Sequence, residues 1–182
     1  HTPCLPSLFR NNPNAIDIFI ERMRLTEFEM LLGKHPVVEG FFKKNRFRID
    51  PLGLAQHYGI KTEMLDLTSD LDIALFFAVC NYNKESDSYE PIYDNEIHTG
   101  ILYVVLPYEH IDISNFTFLS GKISVIGLQP FARPGIQKGF SFYLNRNEEF
   151  VTHKYSFNYS KGDSEYYYNK FDNGSKIWTK DL

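Results

Sequence analysis

Apolar positions near the start of the chain recur at helical spacing. After Asn12-Pro13, residues Ile16, Phe19, Ile20 and Met23 share one helical face, with Asn14 placed to cap it. Thr26 and Glu29 form a capping-box pattern ahead of Met30, Leu31 and Leu32, which fits either one bent helix or two short ones ending near Gly33. Before this, Thr2-Pro3-Cys4-Leu5-Pro6 predicts an extended lead-in, because proline fixes φ and disfavours helix in the residue before it. Asp50-Pro51 starts a helix through Leu54, Gln56 and His57, and Gly59 supplies the left-handed residue that closes it. Met64 to Leu67 alternates as a strand does. Thr68-Ser69-Asp70-Leu71-Asp72 then offers caps and acids for a further helix, and Ile73 to Cys80 is apolar on every side, so that helix must be enclosed.

The remainder reads mainly as β structure. Residues Asn81 to His98 are polar and predict a long functional or mobile loop. Strands are predicted over Ile101 to Leu106, Phe116 to Leu119, Ile123 to Leu128, Gly139 to Leu144 and Phe150 to Phe157. A Tyr-rich helix follows over Ser164 to Phe171, closed by Asn173-Gly174. Helices first and strands later imply an α+β fold: N-terminal helices and a central buried helix packed on a mainly antiparallel β-sheet, continuous or split. No repeat or linker interrupts the chain, which predicts one domain over residues 1–182.

Composition narrows the function classes. Lys plus Arg number 19 against 23 Asp plus Glu, a net charge of −4, which argues against a general polyanion-binding surface. With 43% hydrophobic residues the chain is not of disordered composition, and no apolar run approaches the ~20 residues that span a bilayer. Cys4 and Cys80 form neither a CxxC nor a disulfide ladder, so a reducing, cytoplasmic setting is expected. The 16 Phe and 12 Tyr predict a Phe-rich core and Tyr-rich surface, with an aromatic ligand cage as the alternative. Phe41 to Arg48 interleaves cations and phenyl rings; the reading is an amphipathic connector, with a stacking-and-phosphate surface as its rival.

Several familiar chemistries lack their motifs. There is no GxSxG, Walker loop, GxGxxG or HExxH, and His35, His57, His98, His110 and His153 lack a paired spacing, so no metal site is predicted. Cys80 reads as an inert core residue, and Glu148-Glu149 as a solvated turn. The densest reactive cluster runs from Gln56 to Thr68, a helix-turn-strand-helix passage carrying an amide, an imidazole, a phenol, carboxylates and hydroxyls. Asp70 and Asp72 oppose a phosphate at the following helix start, so a ribose or an amide is the better guest. Two readings stay open: a ligand site, or a structural set in which Gln56 and His57 bond helix-terminal carbonyls and Asp66 bonds backbone amides.

Ala55 to Ser69, AQHYGIKTEMLDLTS, followed by Ala74-Leu75-Phe76-Phe77-Ala78, resembles the signature of the FRG domain, which reads approximately LAQHYGLPTRLLDWT and then ALFFA. Pro6-Ser7-Leu8-Phe9-Arg10 is similar to the PSLFR that follows the family's aromatic-Arg-Gly tripeptide, and Gln137-Lys138-Gly139-Phe140 resembles its later Q-x-G-x-F motif. The resemblance covers Pro6 to about Phe140. The tripeptide is absent, so the resemblance implies a single FRG-like domain lacking its N-terminal strand. Lys61, Glu63 and Leu67 replace the signature's Pro, Arg and Trp, and Glu63 puts a negative charge where a guanidinium could clamp an anion.

The order of these motifs is similar, more distantly, to ADP-ribosyltransferases. That resemblance implies a related fold, NAD as substrate, and a protein or nucleic-acid target, as in the effector of a bacterial toxin or phage-defence system. Carried over residue by residue, it makes Thr68 and Ser69 the hydroxyls of the nicotinamide site and Gln137 the late catalytic position, where an amide replaces a carboxylate. His57, Asp66 and Gln137 are thus the expected catalytic residues, with Gln56, Tyr58, Thr62, Thr68, Ser69 and Gly139 expected to contact the nucleotide. The alternative is a non-catalytic nucleotide-sensing or protein-interaction domain.

Overall fold

The computed structural model describes residues 4–46, 49–106, 122–148, 150 and 152–179. A short 3-10 turn at Ser7–Phe9 leads to helix α1 (Ala15–Gly33). Asn14 caps α1, accepting from the amides of Ile16 at 2.8 Å and Asp17 at 2.9 Å, while Asp17 accepts from the Asn14 amide. Of the two helical readings the single helix holds. Thr26 donates back to the Arg22 carbonyl at 3.0 Å instead of starting a new turn. Helix α2 (Pro36–Asn45) takes in the first part of the Phe41–Arg48 stretch, with Pro36 at its first position; Phe47 and Arg48 lie outside the described residues.

Helix α3 (Pro51–His57) begins on Asp50, whose carboxylate accepts from Leu52 and Gly53 amides, and ends at Gly59 with φ +81°. Strand β1 (Met64–Thr68) follows, then helix α4 (Leu71–Val79), capped by Asp70. Ile73, Phe76 and Val79 bury one stripe of α4, while Ala74, Leu75, Phe77 and Ala78 are half-buried and Leu71 is exposed, so the helix is covered on one stripe and not enclosed all round. Cys80 is buried beside Ser164, and burial raises its thiol pKa.

The polar stretch after α4 is not a plain loop. It folds into a hairpin of β2 (Cys80–Asn83) and β3 (Ser88–Pro91), with Tyr82 paired to Tyr89. Strand β4 (His98–Val104) starts and ends earlier than the predicted strand, and β5 (Ile123–Val125) is shorter, because the chain bends away at Gly127. The predicted strand Phe116–Leu119 lies outside the described residues. Helix α5 (Ala132–Ile136) was not expected; Pro134 and Gly135 hide its signal. Strands β6 (Gly139–Tyr143) and β7 (His153–Tyr159) and helix α6 (Lys161–Lys170) complete the order.

All strand pairs are antiparallel, which agrees with an α+β arrangement split into pieces: a three-stranded sheet β1-β6-β5, the β2-β3 hairpin and the pair β4-β7. Across the three-stranded sheet Leu65, Phe142 and Ile123 align on one face, packed with Leu144 and Phe150 into one core. Asp66, Ser141 and Ser124 align on the other. That face accepts α3 at Gly53, where an added Cβ would stand 2.3 Å from Ile126 Cγ2 and 3.1 Å from Ser141 Oγ. A second core joins Ile73, Phe76, Val79 and Cys80 to Ile177, flanked by the tyrosines of α6. Phe76, Phe142 and Phe150 are buried whereas Tyr58, Tyr93, Tyr155 and Tyr166 are exposed, a division of aromatic roles from which Phe19 and Phe42, both exposed, depart.

Candidate functional site

The turn at Gly59 sets the site. Ile60 and Tyr58 amides both return to the Ala55 carbonyl, reversing the chain so that α3 lies over β1. His57 Nε2 then comes within 3.9 Å of Asp66 Oδ1. Gln56 hydrogen-bonds the Asp66 carboxylate with its side chain, and its Oε1 accepts from the Thr62 hydroxyl. Thr62 is fully buried; its hydroxyl also accepts from the Met64 amide at 3.2 Å. The Thr62 backbone is held in turn by the first motif, with its amide donating to Ser7 Oγ at 3.1 Å and its carbonyl accepting from the Leu8 amide. Pro6–Arg10 and the Ala55–Ser69 signature are therefore one structural unit. Arg10 adds a positive charge that Asp66 feels.

The carboxylate occupies a particular setting. His57 keeps 7% of its side-chain surface accessible and Asp66 keeps 48%. Desolvation raises the Asp66 pKa above the ordinary carboxylate value, opposed by His57, the Gln56 hydrogen bond and Arg10. A carboxylate raised in this way is a stronger base than a fully solvated one.

A second group lies further along the same face of β1. Thr68 is two residues from Asp66, about 7 Å along the strand. Its hydroxyl donates to the Gln137 carbonyl at 2.7 Å and accepts from the Asp70 amide. Ser69 is exposed and its amide donates to the Lys138 carbonyl. Gly139 stands opposite Thr68, where an added Cβ would approach the Pro134 carbonyl at 3.1 Å. Gln137 precedes β6 in a turn instead of lying on the strand; it is buried, and its amide donates to the Ile177 carbonyl at 2.9 Å. That hydrogen bond ties the C-terminal segment down. Tyr58 meets Phe28 and Phe131 at ring distances of 6.0 and 6.2 Å, an aromatic contact of α3 with its neighbours.

Three residues that the sequence did not single out frame the site from behind. Arg133 is buried, donating to the His57 carbonyl at 3.2 Å and the Thr179 carbonyl at 2.8 Å, with its guanidinium 4.2 Å over the Trp178 ring. Trp178 packs on Tyr82 and Tyr89 and donates to the Asp87 carbonyl. Burial, with smaller effects from Tyr82 and Asp66, pushes the Tyr89 phenol up to about 12. Only the solitary tryptophan hinted at this in the sequence.

The replaced signature positions have found partners of their own. Glu63 pairs with Arg22 of α1 at 2.9 Å, and Lys61 reaches Glu21 at 3.6 Å. Asp70 and Asp72, besides flanking the α4 start, pair with Lys138 and Lys170. Glu148 pairs with Lys122 in a turn, while Glu149 lies outside the described residues. Among the described residues, no group of three or more His, Cys, Asp or Glu is arranged to hold a metal ion. Among those residues, too, no helix is long and apolar enough to cross a membrane.

Comparison with curated proteins and with solved structures found no match in either. A family model does match, over the part of the chain that holds Pro6–Arg10, α3, β1 and α4, and it stops before the turn that carries Gln137. Residues 1–87, which supply Gln56, His57, Thr62 and Asp66, match the model of the FRG domain family.

Proposed function

We propose that the surface around Asp66 and His57 is a nucleotide site of ADP-ribosyltransferase type, taking NAD as substrate and acting on a protein or nucleic-acid target. The observation that carries this reading is the accessible Asp66 carboxylate, set against His57, Gln56 and Arg10. When the nicotinamide–ribose bond breaks, its electron pair leaves with nicotinamide and positive charge develops on the ribose carbon. A fixed carboxylate lowers the energy of that state. Asp66 takes this part in place of Gln137, whose amide is engaged with Ile177. As the acceptor bonds to the ribose carbon its proton passes to the Asp66–His57 pair. Thr68 and Ser69, next along the strand, face the ribose or nicotinamide amide.

A second reading has its own support. Gln137 is buried in a structural hydrogen bond, and Glu63 is in an ion pair. A domain with those positions closed binds a nucleotide or a protein without turning anything over. Incubation of the chain with labelled NAD and a target mixture, beside Asp66→Asn, separates the two. Label transfer or nicotinamide release that vanishes in Asp66→Asn supports the transferase. Calorimetric NAD binding without release supports the sensing domain, and no NAD binding at all sinks both nucleotide readings.

A further inference from the structure

Among the described residues, helix α1 is joined to the rest of the protein along one face. Glu21 is buried there, Ile18, Leu25, Phe28 and Leu32 are half-buried, and Arg22 pairs with Glu63. The opposite face is apolar and uncovered: Ile16, Phe19, Ile20, Met23, Met30 and Leu31 are 45 to 70% exposed. Several of these side chains line a surface groove of about 550 Å³. Ile16, Ile20, Met23, Glu27, Met30 and Lys34 are separated alternately by four and three residues, the spacing of a seam that meets a second helix. An isolated monomer rarely leaves so continuous a stripe to water.

The charges along α1 identify the second helix. Asp17, Glu21, Glu27 and Glu29 accompany Arg22, Arg24 and Lys34, which is not the basic face of a helix that lies on anionic lipid. A parallel copy of α1 would set Asp17 against Asp17 and Glu27 against Glu27. An antiparallel copy does the reverse. With the twofold axis near Leu25, Ile20 of one copy meets Met30 of the other and Phe19 meets Leu31, while Arg24 comes beside Glu27 and Asp17 beside Lys34. Ile20–Met30 and Phe19–Leu31 are then apolar pairs, Met23 and Ile16 pack on the aliphatic stems of Glu27 and Lys34, and the charges at the seam are complementary. The exposed apolar surface of these side chains is on the order of 700 Å², near the ~800 Å² per partner of a standard stable interface. We propose that two copies of this chain pair through α1, antiparallel, as a homodimer.

Sedimentation velocity over a concentration series of the 182-residue chain tests this. A reversible dimer is expected by about 100 µM, weakened at least tenfold by Met30→Glu and by Glu27→Arg, and regained in the double variant Arg24→Glu with Glu27→Arg. All of these residues except Arg24 act only through the exposed face, so thermal melting of Met30→Glu and Glu27→Arg should match the parent and keep the result interpretable. A chain that stays monomeric at that concentration overturns the proposal, as does a dimer unaffected by Met30→Glu. Binding of the monomer to phosphatidylcholine–phosphatidylserine vesicles without self-association also overturns it, assigning the stripe to a membrane surface.

Discussion

His57 Nε2 lies 3.9 Å from Asp66 Oδ1, with the imidazole buried and the carboxylate open to solvent. The helix terminus and the strand that carry them are brought together by the Gly59 turn and held there by Gln56, which hydrogen-bonds Asp66 on one side and Thr62 on the other. The arrangement has separable consequences for stability and for function.

Ionised Asp66 is held against its own stability. Desolvation raises its pKa in the folded state, so between the ordinary and the raised value the folded protein keeps a proton that the unfolded chain has lost. Stability therefore falls as pH rises through that window. Asp66→Asn removes the titration and preserves the shape. The melting temperature at pH 7 should be unchanged or higher and its pH dependence flatter just above the ordinary carboxylate value, while NAD turnover or binding is lost. A marked fall in melting temperature would show that the carboxylate is structural.

Thr62→Val keeps volume and removes one hydroxyl. The Gln56 Oε1 and the Met64 amide both lose a partner. Because Thr62 is fully buried, urea denaturation should show a loss of about 1 to 3 kcal/mol, with Thr62→Ser much milder. Equal stability of Thr62→Val and the parent would mean that water or a rearranged Gln56 fills the gap.

Arg133→Lys retains a charge but loses the planar fork that joins the His57 and Thr179 carbonyls and covers Trp178. A loss of about 2 to 3 kcal/mol is expected. Since the protein has one tryptophan, intrinsic emission reads this place alone, and it should shift to the red in the variant. Unchanged emission would argue that the C-terminal segment is held without Arg133.

Gly53→Ala tests the fit of α3 on the polar sheet face. Its Cβ would stand 2.3 Å from Ile126 Cγ2, so either the isoleucine turns aside or the helix lifts, at about 1 to 3 kcal/mol. A lifted helix also moves His57 from Asp66. Ligand affinity should fall with it, and Gly53→Ala added to Ile126→Ala, which removes that Cγ2, should recover part of both losses relative to the sum of the single variants. If the double variant recovers neither, the close approach at Gly53 is not what seats the helix.

Local signals along the chain carried the helix ends and the helix-turn-strand passage from Gln56 to Asp66. Asn14, Asp50 and Asp70 each cap the helix they precede, and Gly59 ends α3 with a positive φ, because these are choices a few neighbouring atoms decide. The Gln56–Asp66 passage was legible for the same reason, as a helix, a turn and a strand in immediate succession. Tertiary contact decided the rest. The β2-β3 hairpin has polar strands of four residues, and what orders them is the packing of Tyr82 and Tyr89 on Trp178, a residue far along the chain. Glu63 looked like a lost anion clamp until Arg22 of α1 reached it. Gln137, read from its motif as a catalytic amide, donates to the carbonyl of Ile177, 40 residues later. A buried amide takes whichever partner the fold brings within 3 Å or so of it, and sequence spacing does not encode that meeting.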